Sequence, residues 1–273
     1  MSYESSVPNK VLQYITERET VSIEDIVRDL KVSPITAKNY LSRLARMGTL
    51  KGISRGLYQL RKGDAVSIKL SPELSQLAQE IRELFPMGSF VIWSLSMLAD
   101  YAHYSISRDI VFIETSKILS ASLRDALMRK GYRVILLPED RDFREYAYYE
   151  ERPLFILERK ELYGLAWLDG NFVPTLERIW VDMFYFITRK QLSFDPSELG
   201  TMIANIINRE GMNFDRLLRY AGRRGLFREV LILLYELKRS GSRAGRKIPE
   251  YALIGRRETF ETILRIAHGA ERE

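Results

Sequence analysis

The sequence predicts an α+β protein: helices and a short hairpin first, a mixed α/β middle, and helices again at the C-terminus. Two patterns point to it. Apolar residues recur at helical spacing up to Met47 and again beyond residue 190. Between them, apolar runs of strand length, Asp109-Ile-Val-Phe-Ile113 and Tyr132–Leu137 among them, alternate with helical stretches. The chain has 273 residues, long for one domain of roughly 100–200. Segments 1–64, 65–190 and 191–273 read as three regions.

Pro8 suits the first turn of a helix, where its missing N–H costs nothing, and Val11, Leu12 and Ile15 form that helix's apolar stripe. Ser22-Ile-Glu-Asp25 is an N-cap with an acid three residues on, opening a helix whose buried face is Ile23, Ile26, Val27 and Leu30. Ser33-Pro34 caps a third helix, with Ala37, Leu41 and Leu44 turned inward and Gly48 as its stop. Thr49–Ile53 and Leu57–Leu60 are strand-like. Ser54-Arg55-Gly56 joins them as a turn whose glycine supplies a positive φ. Three helices closed by such a hairpin make a winged helix-turn-helix.

Gly63-Asp64 through Ser67 reads as a hinge to the middle region. Ser71-Pro72 then caps a helix that ends at Pro86, Phe90–Tyr101 reads as an apolar helix, and Ile118–Arg129 as a helix stopped by Gly131. Further strands are expected at Leu154–Glu158 and Leu162–Leu168, with a turn at Asp169-Gly170. Pro174-Thr175 opens a long core helix, Leu176–Thr188. Pro196–Ile207, Phe214–Tyr220 and Leu226–Lys238 follow at helical period, and Ser240–Lys247 reads as a flexible basic linker to a last short helix.

The distribution of charge says more than the net +6. Between Lys31 and Gly63 lie eight basic residues and no acid, a block contiguous enough to predict a polyanionic partner. A helix fits the major groove of DNA, where Asn and Arg pair with base edges. The candidate contacts on the third helix are therefore Ser33, Thr36, Lys38, Asn39, Tyr40, Arg43 and Arg46. Lys51, Arg55, Arg61 and Lys62, on or near the wing, are the candidates for phosphates. Docking to another protein is the alternative use of such a unit. Residues 209–247, net +7, set Arg216, Arg219 and Arg223 on one helix face, with Arg224 and Arg228 close by. They form either a second phosphate-facing surface or a face that is solvated or paired with acids of the body.

Catalysis finds little support, and neither catalytic residue, metal nor cofactor is expected. With no cysteine and two histidines, thiolate nucleophiles, disulfides and multi-histidine metal sites are excluded. His103 reads as a surface or capping residue before a pocket residue. Gly88-Ser89 ahead of Asp109-Ile-Val-Phe is similar to the nucleotidyltransferase signature, in which Gly-Ser precedes a strand bearing two Mg²⁺-holding carboxylates one residue apart. Here the second position is Val111 and the spacing from Ser89 is long, so such a site would be disabled. Neither a phosphate-binding GxxxxGK[ST] run nor a GxSxG elbow occurs. Glu114, Glu139, Asp140, Asp142 and Glu145 read as solvated acidic clusters. No window approaches a membrane span, and MSYESSVPNK lacks the layout of a signal peptide, so a cytoplasmic protein is expected.

Three segments together resemble the AbiEi-type antitoxin family, transcriptional regulators of type IV toxin–antitoxin pairs. They are the winged helix of residues 7–62, Val91-Ile-Trp-Ser94 leading into Asp109-Ile-Val-Phe-Ile-Glu114, and Pro174-Thr-Leu-Glu-Arg-Ile-Trp-Val-Asp182. The resemblance covers roughly residues 7–190. It implies an autorepressing DNA-binding antitoxin that recognises inverted repeats in double-stranded operator DNA. It also implies a functional partner, a nucleotidyltransferase-like toxin, commonly opposed without a stable complex. By position, Thr36, Asn39, Tyr40 and Arg43 would be the base-reading set. A ligand- or protein-sensing regulator unrelated to a toxin, and a residual nucleotidyltransferase, stay open as alternatives.

Overall fold

The computed structural model describes residues 7–18, 20–47, 50–60, 68–86, 88–103, 109–149, 152–160, 162–168 and 171–253. The chain folds as a mixture of helices and sheets. Among the described residues, no helix is long and apolar enough to cross a membrane.

The first six elements are α1 (Asn9–Thr16), β1 (Thr20–Ser22), α2 (Ile23–Leu30), α3 (Pro34–Met47), β2 (Leu50–Ser54) and β3 (Leu57–Leu60). The strands form an antiparallel sheet in the order β1-β3-β2. The start of α2 is set by a capping box. The Ser22 hydroxyl accepts from the Asp25 amide at 3.1 Å, and the Asp25 carboxylate accepts from the Ser22 amide at 3.0 Å. Gly56 turns the hairpin with φ 79°, the left-handed region that glycine enters freely. β1 was not expected. It has three residues, and its last, Ser22, is also the helix cap, so too little of it shows a period of two. Gly48 lies outside the described residues.

The middle region holds α4 (Pro72–Leu84), β4 (Phe90–Ser94), β5 (Val111–Thr115), α5 (Lys117–Arg129), β6 (Val134–Leu136), α6 (Asp140–Glu145) and β7 (Leu154–Glu158). β8 (Leu165–Leu168) and β9 (Asn171–Pro174) follow as an antiparallel pair, with β9 lying against β4. The sheet order is β4-β5-β7-β6, with β4 antiparallel to β5, and β5, β7 and β6 mutually parallel. One expectation fails here. Phe90–Tyr101 is not a helix; Phe90–Ser94 is strand β4 and Leu95–Tyr101 a 3₁₀ segment. A short apolar run buried on both sides has no period to separate strand from helix, and its Phe, Val, Ile and Trp side chains favour the pleated sheet. Acids read as solvated also have local work, since Glu139 and Asp142 form the capping box of α6.

The C-terminal helices are α7 (Leu176–Lys190), α8 (Glu198–Arg209), α9 (Phe214–Arg223), α10 (Phe227–Arg239) and α11 (Arg243–Lys247). The basic stretch expected as a linker is in part α11. Ser242 caps it by accepting from the Gly245 amide, Ala244 and Gly245 are buried, and a Cβ on Gly245 would collide with the Leu237 carbonyl. The last short helix expected beyond it, and the turn at Asp169-Gly170, lie outside the described residues. Rings knit the sheet to α7. Phe112 of β5 stacks on Trp93 of β4 at 4.2 Å and on Phe186 of α7 at 5.0 Å, and Phe143 of α6 stacks on Phe186 at 5.0 Å.

Candidate functional site

The acid-free block of the sequence becomes α3 and the β2–β3 hairpin. Ala37, Leu41 and Leu44 are fully buried, which turns the opposite side of α3 outward. Lys38 and Asn39 are exposed on α3, Lys51 and Arg55 on the hairpin, while Thr36, Tyr40 and Arg43 are half-buried. Tyr40 packs against the core. Ser33 is largely used locally: its hydroxyl accepts from the Thr36 amide at 3.1 Å and lies 2.8 Å from the Thr36 hydroxyl. Among the described residues, no carboxylate forms an ion pair with Lys38, Arg43, Lys51 or Arg55. Two acids of this region are engaged elsewhere. Asp25 and Asp29 pair with Arg28, and the Asp29 carboxyl, held by Arg28 and by the Tyr14 hydroxyl, is lowered to about 2. The side chain of Arg46, and Arg61 and Lys62 entirely, lie outside the described residues.

A second constellation was invisible in the sequence. Glu114, expected in a solvated cluster, sits in the middle of the sheet with no exposure. Its carboxylate accepts from Trp93 Nε1 at 3.0 Å, Arg159 Nε at 2.7 Å and Arg178 Nη2 at 2.5 Å. Asp182, one turn along α7 from Arg178, is likewise fully buried and accepts from the Tyr220 hydroxyl at 2.7 Å, from Arg224 and from Arg178. Burial alone would raise the Glu114 carboxyl, but the guanidinium groups of Arg178 and Arg159 outweigh it and hold it down at about 2. Burial likewise works against the charge of Arg178, yet Glu114 keeps it firmly protonated. Glu177 extends the network, accepting from Arg216 Nη2 at 2.8 Å and from the Asn213 amide at 3.0 Å. Every oxygen of Glu114 and Asp182 thus has a donor, and the arrangement clamps α9 to α7 and α7 to β5.

This network takes up part of the second basic block. Arg216 is paired with Glu177, Arg223 lies over the Tyr163 ring at 3.9 Å, and Arg224 is paired with Asp182. Arg219 is exposed. The residues similar to a nucleotidyltransferase signature are kept apart by the register of β4 on β5. Phe90 faces Thr115 and Ser94 faces Val111, so Ser89 and Asp109 sit off opposite ends of the pair. The Ser89 hydroxyl donates to the Val7 carbonyl at 2.7 Å, while Asp109 accepts from the Ser96 amide at 2.9 Å and pairs with Arg152. His103 is exposed, and its amide donates to Glu198 at 2.6 Å.

The molecule is therefore defined as a mixed α+β protein with a basic helix-and-hairpin face and an internal charge network. Residues 36–240 match DUF6577, a family of unknown function, and the chain belongs to that family. The matched segment runs from α3 through the hairpin and the charge network to the end of α10. Among curated proteins, none matches the chain.

Proposed function

We propose that the chain is a sequence-specific DNA-binding transcriptional regulator whose N-terminal unit is a winged helix-turn-helix. The succession α1-β1-α2-α3-β2-β3, with sheet order β1-β3-β2, supports that assignment. In this reading α3 enters the major groove, Asn39 and Arg43 meet base edges, and Lys51 and Arg55 of the wing neutralise phosphates. The observation that carries it is the acid-free face itself. Among the described residues, its cations Lys38, Arg43, Lys51 and Arg55 are left without carboxylates although the chain has 36 acids. The body and the C-terminal helices form a scaffold stiffened by the Glu114–Arg178–Asp182–Arg224 network, with no catalytic role and no cofactor.

The resemblance to the AbiEi-type family extends the proposal to an autorepressing antitoxin, cytoplasmic, bound to inverted repeats and opposing a nucleotidyltransferase-like toxin. The experiment is a fluorescence-anisotropy titration of the full chain on its gene's own upstream DNA, with a scrambled competitor, at two salt concentrations. Preferential binding that weakens steeply with salt is expected, because each phosphate contact releases counterions. Equal affinity for both sequences would overturn the regulator reading. Co-expression with a neighbouring nucleotidyltransferase-like toxin tests the antitoxin step, and rescue of growth is expected.

A further inference from the structure

Ile35, the second residue of α3, is 75% exposed, among the most exposed large apolar side chains described. Ile35, Asn39 and Ser42 recur at i, i+4 and i+7, on the stripe opposite the fully buried Ala37, Leu41 and Leu44. The isoleucine therefore projects at the leading end of the outward face, beside exposed Ser33 and Pro34 and one turn from Asn39. Nothing local requires it. A β-branched residue is a weaker helix former than the polar residues that would serve in water, and its apolar surface is left unburied.

Its surroundings select what can cover it. The chain that carries Ile35, from Lys31 to Gly63, is basic and free of acids, so the partner is a polyanion that also offers a small apolar group. In the major groove, duplex DNA has one such group, the 5-methyl of thymine. Residues near the N-terminus of a recognition helix are also the ones that reach base edges. We infer that Ile35 is a specificity-determining residue. It packs on a thymine 5-methyl group, so the site bound by α3 carries thymine beside the base pair met by Asn39. This inference rests on the DNA-binding reading above.

Uracil lacks only that methyl group, which makes it the discriminating probe. Duplexes enriched by the full-length protein from a randomised pool are resynthesised with single dT→dU replacements, and binding is measured for wild type and for Ile35→Ala. Wild type is expected to lose about fourfold in affinity at the single replacement that removes the contacted methyl, the worth of one buried methyl. Ile35→Ala should bind the thymine duplex at least that much more weakly and no longer distinguish dT from dU. Its melting temperature should be unchanged, because the side chain is exposed. An enriched site indifferent to every dT→dU change overturns the inference and leaves the regulator standing. So does a variant that keeps the full sensitivity, which would place the methyl contact on another residue. A pool with no enriched sequence overturns the DNA-binding reading, and the inference falls with it.

Discussion

Two sets of cationic side chains in this protein have opposite surroundings. In the body, buried Arg178 and half-buried Arg224 lie against Glu114 and Asp182, with every carboxylate oxygen satisfied. On α3 and the hairpin, Lys38, Lys51 and Arg55 stand in solvent, in a segment without an acid. Residues 209–247 carry a larger excess of positive charge than the N-terminal unit, yet Arg216, Arg223 and Arg224 are taken up by Glu177, Tyr163 and Asp182. A count of basic residues therefore does not locate a polyanion-binding face. On the proposal made above, such a face is marked by basic residues that the fold leaves without carboxylates.

Four experiments test this contrast. The largest effect is expected from Arg178→Met, which strips a donor from two buried carboxylates at once. Removing one partner of a buried pair costs about 3–5 kcal/mol, so calorimetry should record a midpoint lower by roughly 10 °C. A midpoint within about 2 °C of wild type would mean that the network holds little.

Acid comes next. The folded Glu114 carboxyl lies at about 2, below its unfolded value, so it contributes stability above the unfolded pKa that is lost as pH falls from about 4.5 towards 2. Denaturant melts of wild type and Glu114→Gln across that window should converge at the acid end. Curves that stay parallel would refute the assignment.

Asn39→Ala and Arg43→Ala should each reduce discrimination between the preferred and scrambled duplex by about 1–3 kcal/mol while sparing nonspecific binding. Loss that is uniform across sequences would make them backbone contacts. The smallest effect belongs to single exposed cations. Arg55→Ala should lower the slope of log K against log salt by about 0.9 with no change in melting. Arg219→Ala, equally exposed but on the C-terminal face, should change neither quantity. If Arg219 alters the slope, the second basic block also meets phosphate.

Legibility differs between the two regions for a physical reason. The cap at Ser22, the helix at Ser33-Pro34, the turn at Gly56 and the inward trio Ala37, Leu41 and Leu44 are all local patterns, within about seven residues, so they can be read without coordinates. Ile35 escaped notice because an apolar side chain in a helix is ordinarily assigned to the core. Only its exposure reveals otherwise. β4 was misread because a strand buried along its whole length shows no alternation.

The charge network was out of reach for another reason. Arg178 and Asp182 are four residues apart and could be suspected as a helix pair, but Glu114 lies 64 residues from Arg178 and Arg224 lies 42 from Asp182. No spacing rule joins them. By itself, the sequence determined the α+β class, the order of most elements and the acid-free basic face, because backbone propensity and uncompensated charge are properties of neighbouring residues. Tertiary structure alone decided which carboxylates lost their water, and so which arginines serve the interior and which remain available to a partner. Desolvation and ion pairing depend on what the folded chain brings within a few ångströms.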